Sequence, residues 1–121
     1  MKLPLCTLAA SCLAALAMHN TVHAADTERG LTLVAELAQV NGVALACQDM
    51  ATAAKAKKLM LAHAPKTPRF GSAFEESTNT SYLSQVRGTM ACPDATSVDS
   101  KLDALGKHLL DALPASPPAA Q

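Results

Sequence analysis

The sequence predicts an all-α fold, a small bundle of about four helices with one disulfide, on three observations. Apolar residues recur at intervals of three and four along several stretches, which places them on one face of a helix. Half of the 121 residues are hydrophobic, with many alanines and leucines, which are strong helix formers. Aromatic residues, which favour strands, number only three. This length suits one domain.

Residues 1–24 are predicted to be a signal peptide. Lys2 gives a positive start, Leu3 to Met18 is an uncharged and mostly apolar run, and Val22-His23-Ala24 matches a signal peptidase site. We therefore expect cleavage after Ala24 and a periplasmic or secreted protein. A membrane anchor is the alternative, but the run is shorter than the roughly 20 apolar residues of a spanning helix.

The four cysteines divide at this boundary. Cys6 and Cys12 leave with the signal peptide, unless Cys12 is a lipidation site, an alternative that Ala9-Ala10-Ser11 disfavours because it lacks the expected leucine. Residues 25–113 are then the helical domain, and the tail 114–121, PASPPAAQ, is predicted to be disordered.

The first predicted helix covers Leu31 to Cys47. Its apolar stripe repeats at steps of four and three, at Leu33, Leu37, Val40, Ala44 and Cys47. Asn41-Gly42 is a turn signal in other contexts, but the apolar period continues through it in phase. We expect a continuous helix in which Gly42 lets a neighbouring helix approach closely, and two short helices split at Asn41 are the alternative.

A second helix is predicted from Met50 to Ala64. Asp49 precedes it and is suited to accept hydrogen bonds from the first free amides. Pro65 ends the helix.

A third helix is predicted to start at Thr67-Pro68, with the threonine as cap and the proline at the first position. Phe70 and Phe74, one turn apart, should form the aromatic part of the core. Gly88 is expected to close the helix in the left-handed conformation. The polar cluster at 77–81, STNTS, is a weak point where the helix could break.

The fourth helix has the clearest amphipathic pattern in the chain. It is predicted to begin near Thr96, with Asp99 three residues later as in a capping box. Its stripe again repeats at four and three, at Val98, Leu102, Leu105, Leu109 and Ala112. Leu113-Pro114 ends it.

Cys47 and Cys92 remain in the predicted mature chain, and we expect them to form a disulfide. An exported protein meets an oxidising compartment, where an unpaired thiol would be reactive. A catalytic thiolate is the alternative, but it requires a lowered pKa, and Cys47 lies at a helix C-terminus, where the dipole disfavours a thiolate.

We find no candidate catalytic residues and expect no cofactor and no enzyme activity. A nucleophile elbow and a glycine-rich phosphate loop are both absent from the sequence. The formal charge is zero, which argues against a nucleic-acid partner. Met60 and His63 are weak candidates for copper, since they share a helix face, but two ligands are too few for a metal site.

The most informative polar feature is a run of basic residues. Five cations fall between positions 55 and 69 without an acid among them: Lys55, Lys57, Lys58, Lys66 and Arg69. Aspartates dominate the fourth helix instead, so the two stretches could face each other or lie in solvent. Otherwise the basic segment is a surface that binds an anionic partner.

Two strings and one loop carry a resemblance. VNGVALACQ at 40–48, HAPKTPRFGSAFEEST at 63–78 and the Cys92-Pro93 loop resemble those of small exported proteobacterial proteins of unknown function. The resemblance implies a helical fold and no particular activity. In outline the chain is also similar to acid-activated periplasmic chaperones, which are small, helical and held by one disulfide.

These observations favour a non-catalytic protein that binds or modulates another component of the cell envelope, an envelope protein or an anionic surface. An acid-stress or holdase-type chaperone and a copper-binding protein are the alternatives.

Overall fold

The computed structural model describes residues 18–113, with side chains from residue 24 onward. These residues form helices and no strand, in the order α1 (Met18–Ala46), α2 (Met50–His63), α3 (Pro68–Arg87) and α4 (Ala95–Ala112). The predicted all-α class is confirmed. Residues 1–17 of the predicted signal peptide and the predicted tail at 114–121 lie outside the described residues.

The first helix is the centre of the bundle. It packs against α2, α3 and α4, and α2 also packs against α4. Within residues 18–113, no Cα atom of α2 lies within 8 Å of a Cα atom of α3. The two helices therefore lie apart on the surface of α1 and leave a groove between them.

The core is small and mostly aliphatic. Val34, Leu37 and Val40 of α1 meet Leu102, Leu105 and Leu109 of α4, and all six are buried. Phe70 is buried with them, whereas Phe74 is only partly buried against the cluster. The stripe predicted for α4 is confirmed. The apolar stripe predicted for α1 covers fewer positions than are buried in the structure. The reason is that a central helix contacts neighbouring helices on several faces.

Gly42 allows α1 and α3 to approach closely, as predicted, and α1 is continuous through it. A Cβ atom at this position would lie 2.3 Å from the carbonyl oxygen of Thr78 and 2.8 Å from the amide nitrogen of Tyr82. Both are backbone atoms, which a rotamer change cannot move. The third helix is also continuous, so the polar cluster at 77–81 does not break it.

The helix starts follow aspartate side chains. Asp49 Oδ1 accepts a hydrogen bond of 3.1 Å from the Thr52 amide, as predicted for α2. For α4 the predicted capping box at Thr96 and Asp99 is wrong. Asp94 is the cap and accepts from the Ser97 amide at 2.9 Å. An aspartate just before the helix can reach the first free amides, so the helix begins one residue earlier than predicted.

Two details of the helix ends also differ from the prediction. Gly88 has a φ of −82° and not a left-handed conformation, and its amide bonds to the Ser84 carbonyl. A Cβ there would lie 2.8 Å from that carbonyl oxygen, so close approach accounts for the glycine. Thr67 makes no side-chain capping bond, although Pro68 does occupy the start of α3.

The left-handed residue that closes a helix is Gln48 instead, with a φ of 60°. The Asp49 amide donates to the Ala44 carbonyl at 2.9 Å and the Gln48 amide to the Leu45 carbonyl at 3.2 Å, the bonding pattern of a Schellman motif. The sequence did not indicate this turn, because glycine or asparagine usually occupies the position.

Replacing the observed cap of α4 should destabilise the protein. We expect Asp94→Ala to lower the free energy of unfolding by about 1 kcal/mol, because the first amides of α4 lose their acceptor. Thr96→Ala is the matched control and should change it by less than about 0.5 kcal/mol. Urea unfolding measures both. If Thr96→Ala lost more unfolding free energy than Asp94→Ala, the capping box predicted at Thr96 and Asp99 would be correct.

Candidate functional site

The predicted disulfide is present. Cys47 and Cys92 are bonded, with their Cα atoms 5.9 Å apart, and the bond ties the end of α1 to the loop before α4. The pair lines a cleft of about 420 Å³ together with Val43 of α1 and Val98 of α4. Because both sulfur atoms are in the bond, neither cysteine is a free thiolate in this state.

Two of the five basic residues proposed as a binding surface lie in ion pairs. The Lys55 Nζ donates to Asp103 Oδ1 at 2.8 Å and also to Asp99 Oδ1, which joins α2 to α4. Arg69 pairs with Glu28, which joins α3 to α1. The basic stretch therefore faces the acidic stretch of α4 at Lys55, whereas the acid that pairs with Arg69 lies on α1.

The other three cations divide between a structural role and exposure. Lys66 Nζ donates to the Leu61 carbonyl, one of the last carbonyls of α2, so it stabilises the end of that helix. Lys57 and Lys58 are exposed, and neither forms an ion pair with any other described residue. These two lysines, with the exposed surface of α2 that they share, are called here the lysine face.

Asp103 and Lys55 shift each other's titration. The hydrogen bond from Lys55 holds the pKa of Asp103 below its usual value. The hydrogen bonds to Asp103 and then Asp99 raise the pKa of Lys55. The pKa of Asp49 is also lowered, chiefly by the hydrogen bond from the Thr52 hydroxyl.

These shifts predict how stability depends on pH. A carboxylate with a lowered pKa contributes stability above its unfolded value, and that contribution disappears as the pH falls through its folded pKa. We therefore expect the unfolding temperature to decline below about pH 3.8, the ordinary pKa of aspartate. Asp103→Asn should reduce this decline.

Asp111→Asn is the matched control, because Asp111 is exposed on the same helix and has no ion pair among residues 24–113. Thermal unfolding between pH 2 and pH 7 compares the variants. If the unfolding temperature of Asp103→Asn declined at low pH as steeply as that of the wild type, the Lys55–Asp103 ion pair would not be the cause of the decline.

The groove between α2 and α3 has a volume of about 540 Å³ and a mainly apolar lining. We call it the α2–α3 groove. Asn41 and Leu45 of α1 form its floor. Lys57 of α2 and Glu75 of α3 add one charged side chain each to the lining. Its apolar walls come from four side chains: Met60, Leu61, Phe74 and Tyr82. Leu61 is 68% exposed, so the groove is open to solvent.

Asn41 at the floor is the only buried polar residue among those described, and it is 1% exposed. Its Nδ2 donates to Thr78 Oγ1 at 3.1 Å, and Thr78 Oγ1 donates to the Ala38 carbonyl at 3.3 Å. Its Oδ1 has no hydrogen-bond partner among the described residues. An unpaired buried acceptor costs about 1 to 3 kcal/mol. A ligand donor in the groove would remove that cost.

The weak copper candidates lie on the same helix but in different settings. Met60 packs against the core and lines the groove, and His63 is the last residue of α2. Within residues 24–113 no three His, Cys, Asp or Glu side chains are grouped as a metal site requires. The copper hypothesis stays a prediction.

Copper titration tests that hypothesis. If Met60 and His63 were ligands, His63→Ala should weaken Cu(I) binding by at least about tenfold, because the site loses one of its two donors. His108→Ala, on α4, is the matched control. If the wild type and both variants bound Cu(I) with equal affinity, Met60 and His63 would be excluded as copper ligands.

No family model, curated protein or solved structure matches this chain. None of the helices within residues 18–113 combines the length and the apolar character needed to cross a membrane.

The sequence pattern singled out the lysines but not the groove. Asn41 and Thr78 are 37 positions apart, and a spacing rule within one helix cannot bring them together. The one available signal was Asn41 itself, a polar residue inside an apolar stripe beside a glycine.

Proposed function

We propose that this protein is an exported, non-catalytic binding protein that contacts another envelope component through the lysine face of α2. One observation carries the proposal. Of the five clustered cations, two are neutralised by acids and one stabilises a helix end, whereas Lys57 and Lys58 remain exposed and without ion pairs. Two adjacent lysines beside the exposed Leu61 suit a partner with an anionic and partly apolar surface.

Export is part of the proposal and has its own support. A disulfide is compatible with an oxidising compartment, and the N-terminal sequence has the order of charged, apolar and small residues found in signal peptides. Cleavage after Ala24 would fall inside α1 and leave its residues 25–46, which include every buried position described for that helix. N-terminal sequencing of the protein from an envelope fraction tests this step, and a start at Met1 would contradict it.

Charge reversal tests the lysine face. Lys57→Glu with Lys58→Glu should reduce chemical crosslinking to the partner in envelope extract at least about tenfold, because two attractive contacts become repulsive. The matched control, Lys101→Glu with Lys107→Glu, makes the same charge change on α4. Arg69 is left unchanged because it pairs with Glu28. Equal capture by the two double variants would exclude the lysine face.

A holdase-type chaperone is the second candidate, because several large apolar side chains are exposed. Leu61, Val86, Met90 and Leu110 are each more than half exposed. Such residues bind unfolded clients when they form a continuous patch. Acid activation predicts that binding of a hydrophobic dye rises several-fold between neutral and acid pH. Dye binding that stays flat over this range would remove the chaperone.

A further inference from the structure

We propose that the α2–α3 groove binds a small uncharged apolar molecule that carries one O–H or N–H donor, and that Asn41 Oδ1 accepts this donor. The site goes beyond the proposed function, because Asn41 and the apolar walls of the groove would hold its ligand, and Lys57 is the one residue that it shares with the lysine face.

The hydrogen bonds around Asn41 fix which of its atoms is left unpaired. The Thr78 hydroxyl donates its proton to the Ala38 carbonyl, so it can only accept from Asn41. Asn41 Nδ2 makes that bond, and Oδ1 is left as an acceptor without a partner among the described residues. The unpaired group at the floor of the groove is therefore a hydrogen-bond acceptor. A ligand that pairs with it must carry a hydrogen-bond donor.

The walls define the rest of the ligand. Leu45, Met60, Leu61, Phe74 and Tyr82 give the groove an apolar surface with two aromatic rings on the α3 side. Its volume of about 540 Å³ lies within the range of roughly 300 to 1,000 Å³ of small-molecule sites. A ring system or a short hydrocarbon body fills such a space, whereas a highly polar molecule would lose hydration without compensation.

The charges argue for an uncharged ligand. The lining holds one cation, Lys57, and one carboxylate, Glu75, which come from opposite walls. A ligand with a net charge would gain one attraction and meet one repulsion. The hydrogen bond to Asn41 Oδ1 and apolar contact therefore set the specificity, and the ionic contacts do not.

A matched pair of fluorescent probes tests the proposal on the mature chain with its disulfide intact. 2-Naphthol carries one O–H donor, and 2-methoxynaphthalene has the same ring system without it. We expect wild-type protein to bind 2-naphthol about tenfold more tightly, because only 2-naphthol satisfies the buried acceptor. Equal affinity for the two probes, or no binding of either, would overturn the proposal.

Asn41→Leu should remove this preference, so that the two probes bind with affinities equal within about twofold. Gln39→Leu is the matched control, because it makes a similar change on the same helix but lines the cleft beside the disulfide. It should keep the tenfold preference. Loss of the preference in Gln39→Leu, or its retention in Asn41→Leu, would place the donor contact elsewhere and overturn the assignment.

A third variant keeps the test decisive if Asn41→Leu does not fold. Leu61→Glu changes an exposed position and should weaken both probes at least fivefold, since it places a charge in the apolar wall. If Leu61→Glu bound both probes as tightly as the wild type, the probes would bind outside the groove. Sedimentation of the wild type checks the other occupant, and a dimer that Leu61→Glu dissociates would show a second copy in the groove instead.

Discussion

Removing the disulfide by Cys47→Ser with Cys92→Ser is expected to lower the free energy of unfolding by about 4 kcal/mol. The bond spans 45 positions, and in the chain-entropy model its loss frees a loop of that size in the unfolded state. The core has little reserve to compensate, because its largest fully buried side chains are Leu37, Leu102 and Leu109. Small domains have a total stability of only about 5 to 15 kcal/mol.

Urea unfolding of the double variant measures this loss, and wild-type protein under reducing conditions is the matched control. Both should unfold at the same lower urea concentration. A midpoint within error of the oxidised wild type would show that helix packing alone holds the bundle.

The second large effect is expected at the contact between α1 and α3. Gly42→Ala should destabilise the protein by about 3 kcal/mol, because its Cβ would lie 2.3 Å from the Thr78 carbonyl oxygen. One helix must then move off the other, which also separates Asn41 from Thr78. Thermal and urea unfolding report the loss, and weaker binding of 2-naphthol should accompany it.

Gly71→Ala is the matched control for this substitution. A Cβ at Gly71 meets no atom within 4 Å, and the residue lies inside α3. Alanine there should stabilise the protein by about 0.5 to 1 kcal/mol, since it has the higher helix propensity. If Gly42→Ala proved as harmless as Gly71→Ala, the close approach of α1 and α3 would be wrong.

Features that depend on a few neighbouring residues could be predicted from the sequence. The stripe of α4 has a single buried face, so its period identifies its core residues. Asp49 and Pro65 mark the limits of α2 by local chemistry. The disulfide followed from two cysteines and an expected compartment, and Gly42 from an apolar period that does not change phase.

Features that depend on tertiary placement could not be predicted. Lys55 is 44 positions from Asp99 and 48 from Asp103, so nothing local indicated that the first lysine of the basic run is neutralised. The same holds for Arg69 and Glu28. The groove exists because α2 and α3 both pack on α1 without packing on each other, and no short sequence pattern indicates that arrangement.

The groove and the lysine face lie next to each other, since Lys57 belongs to both. The two sites therefore form one continuous surface. A molecule held in the groove would lie beside the residues that contact a partner, so its binding would alter that contact. The two proposals remain separable, because the probe pair reports on Asn41 and the crosslinking reports on Lys57 and Lys58.

NMR can locate a ligand in the α2–α3 groove directly. In the assigned ¹H–¹⁵N spectrum of the oxidised protein, added 2-naphthol should shift the side-chain amide of Asn41 most, together with the backbone amides of Leu45 and Tyr82. Shifts confined to Gln39, Val43 and Ser97, in the cleft beside the disulfide, would contradict the groove site, as would a spectrum that does not change.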